Sequence, residues 1–362
     1  MHNAFGDTFR IALAGESHSP LMSVEIQGVP EGIPLAPADF TADIDRRRPG
    51  RKGTTSRTEK DIPEIVRGVE DGMTTGTTLK LVFRNENVDP SSYRQFSDIP
   101  RPGHADWVRR IKYGADSLAS GGGMFSGRMT LPIVAAGVVA KKIIAPVHVD
   151  AVLTEIGGRK LFRDNAGCAG PDHIFPDSAA AVEQPDDADV LASPEALDAF
   201  LAEVASEGDS VGGVVECVCA GIPVGLGEPF FYPMEAAISQ MVFSVPGIRG
   251  IEFGDGFGAS RMRGSQHNDP ITDIAGHTSR NGAGGINGGI TNGNPLVFRV
   301  AVKPTSSIAR PQTTINLATG RLEELSIKGR HDVCFALRVP VVIESAAAIV
   351  LCDAILSRQK SL

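Results

Sequence analysis

The sequence predicts an α+β sandwich built from two related halves, and three matched units carry that prediction. SVEIQGVPEGIPLAPADFTADIDRR runs from an alternating strand through Gly28-Val29-Pro30 into a helix. VECVCAGIPVGLGEPFFYPMEAAISQM repeats the pattern through Gly221-Ile222-Pro223. DGMTTGTTLKLVF, from Asp71, has its counterpart in GGITNGNPLVFRV, from Gly288; each is a Gly/Thr turn feeding a period-two strand. GGGMFSGRMTLPIVAAGVVAKKII and GRHDVCFALRVPVVIESAAAIVLCDAIL are Gly/Arg-rich loops followed by apolar helices. The shared order of units favours strands with helices layered on them. The halves fall at about 1–150 and 210–362, joined by a connecting segment, 151–209, that is acidic and Ala-rich from about Asp164 to Glu207. In that segment Ser193-Pro194-Glu195 has the serine, proline and early acid of a helix start, so ALDAFLAEVAS is expected to be an amphipathic surface helix.

Composition limits what such a sandwich can do. With 362 residues, 42% hydrophobic, the chain can bury a large core and is not disordered. Lys+Arg 35 against Asp+Glu 43 leaves a net charge of −8, which argues against a generally basic nucleic-acid binder. Any anion site must therefore be built locally. Cys168, Cys217, Cys219, Cys334 and Cys352 have no zinc spacing, and reduced thiols of a cytoplasmic protein are expected. Cys217 and Cys219 alternate along a predicted strand and share one face. The N-terminus lacks a basic region followed by an apolar stretch, and the longest apolar runs are broken at Lys141–Lys142 and by Glu344 and Asp353. No secretory signal and no membrane span is expected.

Four groups of residues could carry chemistry. Arg46-Arg47-Arg48-Pro49-Gly50-Arg51-Lys52 is the densest cationic cluster, and guanidinium forks match phosphate and carboxylate bidentately. The alternatives are a solvated helix end, where cations offset the C-terminal dipole, and a nucleic-acid or localisation patch. Glycine stretches at 121–123, 254–258 and 284–289 would let a ligand approach bare backbone amides, or they are ordinary tight turns. None fits G-x-G-x-x-G after a strand and no GxxxxGK[ST] occurs, so the Rossmann and P-loop readings fail. His18, His104 and His331 each stand near arginine or carboxylate, equipment for proton transfer near neutral pH. HExxH and GxSxG are absent, and no metal site is expected. Lys303-Pro304-Thr305-Ser306-Ser307 offers a cation and hydroxyls at a strand end, suited to a phosphate or to a polar turn.

Together these stretches resemble the chorismate synthase family along nearly the whole chain. The matches are GESH (Gly15–His18), GVPEGIPL (Gly28–Leu35), DIDRRRPG (Asp43–Gly50), GMTTGT (Gly72–Thr77) and RPGHAD (Arg101–Asp106). They continue with GIPVGLGEP (Gly221–Pro229), GIEFGDGF (Gly250–Phe257), GGINGGITNG (Gly284–Gly293), KPTSSI (Lys303–Ile308) and KGRHDVC (Lys328–Cys334). The resemblance implies a single domain with a pseudo-symmetric β-α-β-α sandwich core, assembled as a homotetramer. It implies a lyase that performs 1,4-anti elimination of phosphate from 5-enolpyruvylshikimate-3-phosphate to give chorismate, the last step of the shikimate pathway that feeds aromatic amino acid biosynthesis. Reduced FMN (FMNH2) is the implied cofactor. No separate NAD(P)H-binding unit is evident, so NADPH enters only indirectly, through an external flavin reductase. By motif match, His18, His104 and Asp332 are catalytic, and Arg46, Arg47, Arg48, Arg128 and Arg338 hold the substrate. Arg47, Ser126, Pro246, Gly247, Gly288, Lys303, Pro304, Thr305, Ser306, Ser307 and Arg330 are expected at the cofactor. The chain departs from the family pattern at Ser19, Gly53, Met124, Met129 and Val333. The altered glycine loop motivates one alternative, a diverged paralogue that binds FMN or a shikimate-type anion without turnover.

Overall fold

The computed structural model describes residues 3–55, 59–86, 96–115, 117, 122–161, 190–327 and 331–361. Strands Arg10–Gly15 (β1), Leu21–Gln27 (β2), Glu64–Arg67 (β3) and Leu79–Arg84 (β4) form an antiparallel sheet in the order β1-β2-β4-β3, with Ala4–Phe5 at its edge. Helix α1 (Thr41–Arg47) lies between β2 and β3 in the chain, α2 (Asp106–Tyr113) follows β4, and α3 (Thr130–Ile144) completes this half. The second sheet repeats the plan. Its central strands are His148–Ile156 (β5), Gly213–Ala220 (β6), Ile248–Phe253 (β7) and Leu296–Val302 (β8), in the order β5-β6-β8-β7. Helix α4 (Pro194–Ser206) precedes β6, α5 (Met234–Phe243) lies between β6 and β7, and α6 (Pro340–Ser361) follows β8. Both sheets therefore share one strand order, with α1 and α5 and then α3 and α6 at matching places, while α2 and α4 have no counterpart in the other half.

Alternation explains the strands. In β6 the residues Val215, Cys217 and Cys219 are fully buried on one face, the small core positions expected of the two cysteines. Strand β5 alternates in the same way and pairs with β6, so the stretch expected to connect the halves begins inside the second sheet. The helix expected at ALDAFLAEVAS is α4, and the Ser193 hydroxyl accepts the Ala196 N–H at its start. Much of the acidic stretch before it, with Cys168, lies outside the described residues.

The α+β sandwich has its helices inside. Helix α3 faces β2 and β4, α6 faces β5 and β6, and the two helices pack along each other at the centre. Their apolar residues are buried almost all round, which is what a helix covered on both sides requires. Helix α6 is long and apolar enough to cross a membrane, with a mean hydropathy of 1.8 over Pro340–Gln359, yet 72% of that window is buried inside the protein. Length and composition alone do not separate a core helix from a membrane span. Gly137 of α3 makes the close approach possible, because a Cβ there would lie 2.3 Å from that of Ser345 on α6. One polar knot crosses this core. Glu344 on α6 accepts both Arg46 Nη atoms at 2.8 and 2.5 Å, Lys141 Nζ at 2.8 Å and the Ala151 N–H at 3.0 Å. A buried carboxylate survives there because cations from α1 and α3 surround it. Against burial, those partners hold Glu344 below the usual carboxylate range.

Candidate active site

A cavity of about 280 Å³ opens where segments of both halves converge. The C-terminal end of α1 supplies Arg47, the 3-10 turns before α3 supply Phe125, Ser126 and Arg128, and the segment before α6 supplies His331, Asp332, Phe335 and Arg338. Pro246-Gly247 before β7, Lys303 through Ser306 after β8, and His104 close the other side.

Arg47 is the organising residue. Its side chain is among the largest fully buried, at 1% exposure. One Nη2–H donates to Asp61 Oδ2 at 2.7 Å, while Nε and Nη1 are buried with no hydrogen-bond partner. Burial pulls its pKa down to about 10, Arg338 and Arg128 pull further, and Asp61 resists. Arg128 donates to Asp61 Oδ1 at 2.8 Å, to Glu59 Oε2 at 2.9 Å and, through Nε, to Asn85 Oδ1 at 2.9 Å. Arg338 donates through Nε to the Arg47 carbonyl at 2.9 Å and through Nη1 to Asp332 Oδ2 at 3.0 Å. Three arginines thus line one cavity, and Nε and Nη1 of Arg47 are buried beside it without a protein partner. Such an arrangement favours an anion with several oxygens.

The histidine side is held as firmly. Arg101 grips Asp106 through Nε at 2.7 Å and Nη2 at 2.8 Å, and donates through Nη1 to Ser307 Oγ at 3.0 Å. His104 Nδ1 lies 2.6 Å from Asp106 Oδ1. Arg101 Nη2, which only donates, lies 3.0 Å from the same nitrogen, but the carboxylate is nearer and only accepts, so the proton is assigned to Nδ1 and Nε2 is the acceptor left over. Burial lowers the His104 pKa, with Arg101 and Lys303 adding and Asp106 opposing. His331 is also lowered, by burial and then by Arg101. Both imidazoles are therefore neutral at pH 7. Lys303 donates to the Gly103 carbonyl at 2.8 Å and to Ser306 Oγ, and Ser306 Oγ donates to the same carbonyl at 2.8 Å. The two motifs RPGH and KPTSS are thereby tied into one wall. Thr305 Oγ1 is buried there without a partner.

The structure brings together Arg47, His104, Ser126, Arg128, Pro246, Gly247, Lys303, Pro304, Thr305, Ser306, Asp332 and Arg338. Five expected residues stand outside the lining. Arg46 is not a cleft arginine, because one position along a helix turns it about 100° from Arg47, onto Glu344. Arg48 caps α1 and pairs with Asp45. Gly288 sits in the exposed turn of the hairpin Ile286–Asn287 and Ile290–Thr291. Ser307 is buried behind the wall, where it receives Arg101. His18 lies on a turn beside the cleft, its Nδ1 2.9 Å from Ser17 Oγ; Asn85, which accepts from Arg128, also donates to the Ser19 carbonyl of that turn at 2.6 Å. Arg330 lies outside the described residues.

Three of the five departures from the family pattern have local explanations. Ser19 Oγ accepts the Glu16 N–H at 2.8 Å, so the added side chain closes the turn. Gly53 has φ +80, a conformation strained for a residue with a side chain, and a Cβ there would lie tightly, at 3.0–3.3 Å, against Leu201 of α4 and Leu337. Met129 packs into the hydrophobic core at 8% exposure.

Sequence reasoning missed Glu59, Asp61, Thr55, Phe125 and Phe335, all of which line the cavity. Asp61 and Glu59 stand in TEKDIPE, an unremarkable charged run whose only signal is placement after the arginine cluster.

Comparison with known proteins agrees with this geometry. The family model for chorismate synthase matches residues 9–356. A chorismate synthase of Chitinophaga pinensis is 49% identical over 360 residues, covering 99% of this chain and 98% of the relative. Another, of Korarchaeum cryptofilum, is 42% identical over 357 residues and covers 97% of each chain. A crystal structure of chorismate synthase aligns with a TM-score of 0.72 at 27% identity, over 98% of this chain and 93% of that one. With nearly the whole length matched in both sequence and fold, the chain belongs to the chorismate synthase family.

Proposed function

We propose that this chain is a lyase that eliminates phosphate and a proton, 1,4 and anti, from 5-enolpyruvylshikimate-3-phosphate to give chorismate, with reduced FMN bound in the same cleft. The observation that carries this reading is Arg47, a buried guanidinium with two unpaired N–H sites flanked by Arg128 and Arg338. The substrate carries two carboxylates and a phosphate. Charge grows on the phosphate as its C–O bond breaks, so fixed guanidiniums hold the transition state more tightly than the ground state.

The cleft residues have distinct tasks under this reading. Arg47, Arg128 and Arg338 bind and orient the anion. His104 enters neutral, with Nδ1–H on Asp106; an arriving anion raises its proton affinity, so Nε2 takes up a proton and becomes a donor. Asp332, fixed by the Thr55 N–H at 2.8 Å and by Arg338, is the carboxylate assigned to receive the substrate proton. His18, on its braced turn, is assigned to assist phosphate departure.

The residues also suit a phosphate-bearing anionic flavin. Ser126, Pro246, Gly247 and Lys303 through Ser306 would hold it, and the unpaired Thr305 hydroxyl on that wall supports the fit. When bound, reduced FMN supplies an electron-rich ring that eases phosphate departure. We take its electrons to come from NADPH through a separate reductase, which the lack of a Rossmann fingerprint in the sequence favours. We also take the assembly to be a homotetramer, supported by the exposure of Phe230, Phe231 and Tyr232 at 89%, 87% and 73%. A cytoplasmic setting suits the buried free thiols of Cys217, Cys219, Cys334 and Cys352. The test is anaerobic turnover with chemically reduced FMN. Stoichiometric release of phosphate and chorismate is expected; folded protein that releases neither would refute the reading.

A further inference from the structure

Asp61 is the cleft residue with the least obvious reason to exist. An anion site gains nothing from a carboxylate placed among its arginines, since like charge repels the ligand. Yet Asp61 is 5% exposed and its backbone sits at φ 51, a left-handed conformation that is strained for a residue with a side chain. Strain and buried charge persist together only where the surroundings over-determine them.

What Asp61 does is visible in its two oxygens. Oδ2 accepts Arg47 Nη2 at 2.7 Å and Oδ1 accepts Arg128 Nη2 at 2.8 Å. A single carboxylate therefore fixes the separation and tilt of two guanidiniums that would otherwise repel each other. The arrangement is unequal. Arg128 is also held by Glu59 at 2.9 Å and by Asn85 at 2.9 Å. Arg47 has Asp61 as its side-chain anchor, and its Nε and Nη1 face no protein acceptor.

We propose that Asp61 is a positioning residue: it aims the unused N–H groups of Arg47, in register with Arg128, at the phosphate that the cleft receives. This rests on the anion-cleft reading above, and it makes a prediction of unusual sign. If Asp61 only balanced charge, removing its charge would tighten anion binding. If it positions, Asp61→Asn weakens binding, because the amide places an NH2 against one guanidinium and leaves Arg47 free to turn.

The experiment is calorimetric titration of the full-length chain with inorganic phosphate, alongside kcat and KM for elimination. For Asp61→Asn the phosphate Kd is expected to rise about tenfold, and kcat at saturating substrate to fall by about ten- to a hundredfold. Asp61→Glu keeps the charge and displaces the oxygens by one methylene; it should weaken phosphate binding too, and it decides the matter if Asp61→Asn does not fold. Glu59→Gln, which bears on Arg128 and on the Glu86 N–H, should lose less than Asp61→Asn. Phosphate binding that is unchanged or tighter in Asp61→Asn or in Asp61→Glu overturns the proposal, as do equal losses in Glu59→Gln and Asp61→Asn. A wild-type chain that binds no phosphate would sink the anion cleft itself; one that binds phosphate and turns over while Asp61→Asn matches it would sink only this inference.

Discussion

Arg47 is expensive to the folded chain before any ligand arrives. Its pKa falls from 12.5 to about 10 on burial. At 1.36 kcal/mol per pKa unit, the charged form costs about 3 kcal/mol of stability at neutral pH. An anion that satisfies the free N–H groups offsets that cost, so inorganic phosphate should raise the melting temperature of the wild-type protein and do so far less for Arg47→Ala, measured by differential scanning calorimetry. Equal shifts in the two proteins would remove Arg47 from the anion site. His104 makes a second prediction. Because the imidazole is neutral beside two cations, Arg101 and Lys303, anion binding should take up a proton near pH 7, and the uptake should fall in His104→Ala. Titrations in two buffers of different ionisation enthalpy measure it directly; zero uptake in the wild-type protein would contradict the role. At this scale the sequence was only partly legible. The arginine run marked the right helix, but Arg46 and Arg47 are neighbours in the chain and point apart, and a seven-residue helix is too short for its phase to be read from periodicity.

Helix α1 shows how elements place these residues. Arg46 is locked to Glu344 on α6 and Lys141 of α3 binds the same carboxylate, so α1 is keyed to both central helices with Arg47 left facing the cleft. The crossing of α3 and α6 depends on Gly137. A helical Gly→Ala change ordinarily stabilises by up to about 1 kcal/mol. Here the new methyl would meet Ser345, so Gly137→Ala is expected to destabilise by about 1–3 kcal/mol in urea unfolding. A stabilised variant would show that the helices can move apart. Elements were the most legible level. Both apolar helices, the alternating strands and the α4 cap follow from local pattern, because each is dictated by near neighbours. The glycines of 284–289 were legible both as a tight turn and as a ligand loop. Their turn gives Gly288 an exposed hairpin position outside the cavity lining, and nothing in a glycine run distinguishes a turn from a ligand loop.

At the scale of the whole molecule, the cleft lies where segments of both halves meet, and its titrating groups set the acid stability. His104 and His331 have folded pKa values below the ordinary 6.5, so the unfolded chain binds more protons as pH falls. Their contribution is full above about pH 6.5 and is lost as pH falls through the folded values. Asp61, Asp106 and Glu344 are held below the ordinary carboxylate range, so theirs is lost later, as pH falls through their own lowered values. Unfolding monitored from pH 8 downward should show stability declining first near pH 6, and His104→Gln should shrink that first decline. A flat profile between pH 7 and 5 would contradict the neutral-imidazole assignment. The measurement that bears most directly on the account is the affinity of 5-enolpyruvylshikimate-3-phosphate, by calorimetry with oxidised FMN so that no turnover intervenes, for wild type and Arg47→Ala. Loss of a buried charge-assisted contact predicts binding weaker by about thirtyfold or more in the variant. Affinities within about threefold of each other would contradict it.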